Sequence, residues 1–157
     1  MATSFLALGD SYTIGEGVDV QLRWPAQLAT RLREEGHSFD PVDVIATTGW
    51  TTDELAGALQ GAQLRDHYDL VSLLIGVNNQ YRGLGVDEYR AQFSALLERA
   101  AGFAQGRRER VLVLSMHAEE QYALRAFKAG ASGYVTKDRA SAELVDAVAR
   151  VAGGGAY

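Results

Sequence analysis

Cysteine is missing from all 157 residues, which excludes disulfides, thiolate nucleophiles and cysteine-ligated metals. Lysine is nearly missing too, with only Lys128 and Lys137 beside thirteen arginines. Histidine occurs three times, at His37, His67 and His117, so candidates for an imidazole base are few. No long hydrophobic run exists: the longest apolar stretch, Leu70 to Val77, falls far short of the roughly 20 residues that cross a bilayer. The opening Met-Ala-Thr-Ser-Phe-Leu has neither a basic flank nor a long apolar core. No signal peptide is therefore expected, and the expected location is cytoplasmic. Positive charge is also in deficit, with 15 basic residues against 20 acidic ones, a net charge of −5 and a pI near 5.2. That balance argues against nucleic acid and anionic membrane as partners.

What is present suits one folded domain over 1–157, because 47% hydrophobic content is ample for a core and 22% charged is ordinary. The charge is unevenly spread. Residues 1–110 hold 15 acids and 10 bases, whereas 111–157 hold five of each.

Apolar runs alternate with amphipathic stretches along the chain. Strands are predicted at Ser4–Leu8, Val42–Ala46, Leu70–Ile75, Val111–Ser115 and Gly133–Thr136. These runs are nearly continuous instead of alternating, as expected of strands covered by helices on both faces. A helix is predicted to open at Trp24-Pro25 with a stripe at Leu28 and Leu32. A second opens at Thr51, where Thr51 and Glu54 have capping-box spacing. A third spans about Asp87 to Ala104, and a fourth about Glu119 to Ala129. The last carries Leu144, Val148 and Val151 and stops at Gly153-Gly154-Gly155. Strict alternation of this kind predicts an open parallel sheet with right-handed crossovers. Ligands bind such sheets beyond the carboxyl ends of the strands.

Three short motifs stand at those ends: Gly9-Asp10-Ser11-Tyr12, then Gly49, then Gly76-Val77-Asn78-Asn79-Gln80-Tyr81-Arg82-Gly83. Together, over about residues 3–110, they resemble the SGNH (GDSL-type) serine esterase and lipase family. The resemblance implies a flavodoxin-like three-layer sandwich with a five-stranded parallel sheet in the order 2-1-3-4-5. It also implies Ser11 as nucleophile, with the backbone N–H groups of Ser11 and Gly49 and the Asn78 amide as oxyanion donors. Taken singly, Ser11 could cap a turn, Gly49 could supply a positive φ, and Asn78 could satisfy loop backbone groups. Asn79 departs from the family, which usually has aspartate there. A larger departure is that the family's Asp-x-x-His motif, source of its base and orienting acid, occurs nowhere in the chain. His37 and His67 are expected at the opposite sheet edge. His117 alone falls on the catalytic side, one strand too far from Ser11 to serve readily as its base.

From about Val111 the sequence resembles something else. Val111 to Glu120, then Ala129-Gly130-Ala131-Ser132-Gly133-Tyr134-Val135-Thr136-Lys137-Asp138, then Ala142-Glu143-Leu144-Val145 are similar to a bacterial response-regulator receiver domain. The similarity runs from that domain's fourth strand to its fifth helix. It implies Ser115 as the switch hydroxyl and Lys137 as the phosphoryl-contacting lysine. The rest of a receiver's site has no counterpart: the third strand ends without an aspartate, and Asp10 is the one acid after the first. No metal and no other cofactor is therefore expected.

The simplest account is a chimera, a hydrolase-derived part over 1–110 and a receiver-derived part over 111–157, with the seam within 106–115. Three functions follow: an engineered scaffold with no efficient activity, a weak serine esterase acting on a small ester, or a receiver-like interaction module able to form a homodimer.

Overall fold

The computed structural model describes residues 3–107, 111–115, 128, 133–136 and 140–152. The strands are β1 (Thr3–Gly9), β2 (Phe39–Ala46), β3 (Leu70–Leu74), β4 (Val111–Ser115) and β5 (Gly133–Thr136). The helices are α1 (Ser11–Ile14), α2 (Trp24–Glu34), α3 (Thr52–Gly61), α4 (Val77–Tyr81), α5 (Val86–Phe103) and α6 (Ala140–Ala152). All strand pairings are parallel, and the order across the sheet is β2-β1-β3-β4-β5. The parallel α/β architecture expected from the sequence is the one that forms. Most of the helix expected over 119–129 lies outside the described residues.

Period-two alternation decides which side chain enters which layer. Leu6, Leu8, Val71, Leu73, Val111 and Val113 point to the face covered by α3 and α5. Phe5, Ala7, Leu70, Leu74, Leu112 and Leu114 point to the face covered by α2 and α6. Burial on both faces explains why these runs read as continuously apolar. On the second face Leu28 and Leu32 of α2 share one cluster with Leu144, Ala147 and Val148 of α6. Residues of the receiver-like stretch thus complete a core begun by the hydrolase-like one.

Two differences from the sequence-based expectation have local causes. β2 begins at Phe39 instead of Val42, because Phe39 is buried edge-to-face on Phe5 with centroids 6.4 Å apart. Pro25 does occupy the first turn of α2, and the Thr51–Glu54 capping box does form at α3. The short helices α1 and α4, however, carry no apolar stripe of their own, so periodicity gave no sign of them. At the amino-terminal edge, Tyr68 is almost fully buried and its hydroxyl donates to Asp43 Oδ2 at 2.6 Å. Desolvation and that carboxylate push its phenol up to about 12. Among the described residues no helix is long and apolar enough to cross a membrane.

Candidate active site

The register places Gly9 opposite Ala46 on one side and Leu74 on the other, so three adjacent strands end together. The segments that follow them carry Ser11, Gly49 and Asn78. His37 and His67 precede β2 and β3 and are exposed at the opposite edge.

Ser11 begins α1 directly after β1. The turn is set by Asp10, which is fully buried and acts as N-cap: its Oδ1 accepts from the Tyr12 N–H at 3.0 Å. The cap is therefore the aspartate, not the serine. Neither the Ser11 hydroxyl nor its N–H bonds to another described residue. Gly9 is required for space. A Cβ there would lie 2.8 Å from the Leu74 carbonyl oxygen and closer still to Thr13 Oγ1.

Gly49 sits at φ +85°, a conformation that side chains other than glycine rarely adopt. Its N–H has no partner among the described residues, while its carbonyl accepts from Arg82 Nη2 at 2.5 Å. Arg82 also donates through Nη1 to Glu54 Oε1 at 3.3 Å. Glu54 in turn accepts from the Thr51 N–H at 2.8 Å. That backbone bond, assisted by Arg82, holds the Glu54 carboxyl below its ordinary pKa against the opposing effect of desolvation.

β3 leads through Gly76, at φ +133°, into α4. The Tyr89 ring packs so closely there that a Cβ on Gly76 would approach its Cε2 to 2.7 Å. On α4, Asn78 Nδ2 donates to the Trp50 carbonyl at 2.9 Å, which uses one of its two hydrogens and orients the amide. Asn79 is buried. Its Oδ1 accepts from the Thr52 N–H at 3.0 Å and its Nδ2 donates to Thr52 Oγ1 at 2.8 Å. Its job is to clamp α4 to the start of α3.

Ser115 closes β4 opposite Thr136, two strands from β1 and thus about 10 Å across the sheet. His117 and Lys137 lie outside the described residues. Among the described residues no three His, Asp or Glu side chains gather as a metal site would require. Sequence reasoning missed Arg82 and the Asp10 cap. The Arg82 signal was the Gln80-Tyr81-Arg82-Gly83 extension of the third motif; the cap could have been found from aspartate preceding a serine at a strand end.

The sequence profile of the GDSL-like Lipase/Acylhydrolase family matches residues 7–156. The chain belongs to that family. Among solved structures, AlinE4, an SGNH-hydrolase family esterase, superposes with a TM-score of 0.69 at 26% identity. That match covers 93% of this chain and 82% of AlinE4. A second likeness coexists with the first. The transcriptional regulatory protein DegU of Brevibacillus brevis is 50% identical over 48 residues, 31% of this chain and 20% of DegU. The chain spans about a fifth of the length of such curated relatives. A two-component response regulator of the LuxR family, from Aurantimonas sp. SI85-9A1, superposes with a TM-score of 0.54 at 25% identity. It covers 99% of this chain and 89% of that structure. Hydrolase-like and receiver-like features are thus joined in one α/β family member.

Proposed function

We propose that this protein is an engineered flavodoxin-like chimera, a hydrolase-derived front over 1–110 fused to a receiver-derived back over 111–157. Its remaining chemistry is slow, Ser11-dependent hydrolysis of small activated esters. The observation that carries this reading is the geometry at three adjacent strand ends. Among the described residues, a serine hydroxyl without a partner follows β1, a Gly49 N–H without a partner follows β2, and an oriented Asn78 amide follows β3.

In this reading Ser11 Oγ bonds to the ester carbonyl carbon while the carbonyl π pair moves onto oxygen. The Ser11 and Gly49 N–H groups and the free hydrogen of Asn78 Nδ2 face that developing charge. The Ser11 proton passes to water, since the sequence has no Asp-x-x-His to receive it. Collapse expels the alcohol as its anion, which takes up a proton, and a second water cleaves the acyl-serine to release the acid. Serine is a poor nucleophile without a neighbouring base, so the rate is low. In a serine protease the oxyanion donors and binding alone still retain roughly 10³–10⁴-fold catalysis over water.

The test is hydrolysis of p-nitrophenyl acetate by the parent chain and by Ser11→Ala, Asn78→Ala and His117→Ala. A small rate that falls in the first two and persists in the third is expected. Fast turnover abolished by His117→Ala would show a working base in the receiver-like part and defeat the reading.

A further inference from the structure

Five consecutive residues after β2 are each held by a side chain, four of them from distant parts of the chain and Thr51 by its own capping box. Thr48 Oγ1 donates to Glu16 at 2.8 Å, and the Gly49 carbonyl accepts from Arg82 at 2.5 Å. The Trp50 carbonyl accepts from Asn78 at 2.9 Å, the Thr51 N–H donates to Glu54 at 2.8 Å, and the Thr52 N–H donates to Asn79 at 3.0 Å. Three of these grips come from α4 and the arginine that caps it. The loop and α4 therefore form one unit bearing two oxyanion donors, the Gly49 N–H and the Asn78 amide.

An oxyanion donor helps only if it is aimed where charge develops. The weakest point in that aim is Gly49, which is glycine at a positive φ and could rotate at little steric cost. We propose that Arg82 is the positioning residue of this loop. Its guanidinium holds the Gly49 carbonyl on the same peptide whose Trp50 N–H donates to the Thr47 carbonyl at 3.3 Å. That anchored peptide, through the two backbone angles of Gly49, steers the preceding peptide that carries the Gly49 N–H. Glu54 holds the guanidinium from the other side, with Arg82 Nη2 3.3 Å from Glu54 Oε2. The planar fork of arginine reaches both acceptors at once, whereas a lysine reaches one. Both side chains are nearly half exposed, at 47% and 42%, so the pair adds little to global stability. This proposal rests on Ser11-dependent ester hydrolysis only for its kinetic readout.

The experiment compares Arg82→Ala, Arg82→Lys and Glu54→Gln in the full chain. It measures p-nitrophenyl acetate kinetics together with the ¹H–¹⁵N resonance of the Gly49 amide. Arg82→Ala is expected to lower kcat roughly ten- to a hundredfold with KM little changed, the scale of a small misplacement of catalytic groups. Arg82→Lys should recover part of the loss, and Glu54→Gln should lose less than Arg82→Ala. The Gly49 resonance should shift or broaden in Arg82→Ala while the β1 amides stay in place. An unmoved Gly49 resonance, an unchanged kcat, or an effect confined to KM would overturn the proposal. If the parent shows no Ser11-dependent hydrolysis, the functional reading fails by itself. The Gly49 resonance then decides the positioning role, supporting it if moved and refuting it if not.

Discussion

The Asn79 carboxamide holds Thr52 twice, accepting from its N–H at 3.0 Å and donating to its Oγ1 at 2.8 Å. The Thr52 hydroxyl then spends its single hydrogen on Gln92 Oε1 at 2.5 Å. An aspartate at 79 could accept from the N–H but could not donate to the hydroxyl. Thr52 would then have to give up Gln92 or face the carboxylate with its lone pairs. Asparagine in place of the family's usual aspartate is thus matched to its threonine and glutamine neighbours.

Asn79→Ala is expected to cost about 2–3 kcal/mol, because it strands the buried Thr52 N–H and removes the donor to the Thr52 hydroxyl, which keeps only its bond to Gln92. Asn79→Asp keeps a partner for the Thr52 N–H and should cost less. Urea denaturation of both variants checks the order, and equal losses would contradict the two-bond account.

Tyr68 predicts an alkaline limb of the stability profile. Its phenol, ordinarily near 10.0, is pushed up to about 12 in the folded protein. The unfolded chain therefore releases this proton first. The contribution is fully present below pH 10 and is lost as pH rises to 12, at a scale of roughly 2 kcal/mol. Tyr68→Phe should cost about 1 kcal/mol at neutral pH by deleting the bond to Asp43. It should also flatten the difference between pH 10 and 12. Denaturant midpoints across that range measure both effects, and parallel profiles for the two proteins would refute the assignment.

Val148 tests whether the two parts fold as one. It is fully buried in the cluster that holds Leu28 and Leu32. Val148→Ala should destabilise the whole chain by about 1–2 kcal/mol, for the lost methyl groups and the space they leave. Far-ultraviolet dichroism and tryptophan fluorescence, the latter from Trp24 and Trp50, should shift their midpoints together. A transition in dichroism alone would mean that the receiver-like part melts independently.

Phosphoryl transfer to aspartate is expected to fail. The turn that should carry the acceptor is Gly76–Asn79, which has no carboxylate, and Asp10 is sealed in its capping role. Incubation with acetyl phosphate and Mg²⁺ should leave the intact mass unchanged. A stoichiometric, hydroxylamine-labile adduct would contradict this.

The sequence by itself determined the layer architecture, because continuous apolar runs such as Leu70–Leu74 suit only strands with two covered faces. It also determined the α3 cap, since Thr51 and Glu54 interact over a spacing of three residues and need no distant partner. The motifs at Ser11, Gly49 and Asn78 were legible for the same reason: each is a short string at the end of a strand. What joins them was not legible. Arg82 lies 33 positions from Gly49, and Asn79 lies 27 from Thr52. Only the parallel pairing of β1 with both β2 and β3 brings those segments side by side. The α2–α6 core is the same kind of fact, because an apolar stripe states that a helix face is buried but not against what. That choice belongs to the tertiary structure, since chain distance carries no information about contact once strands cross over.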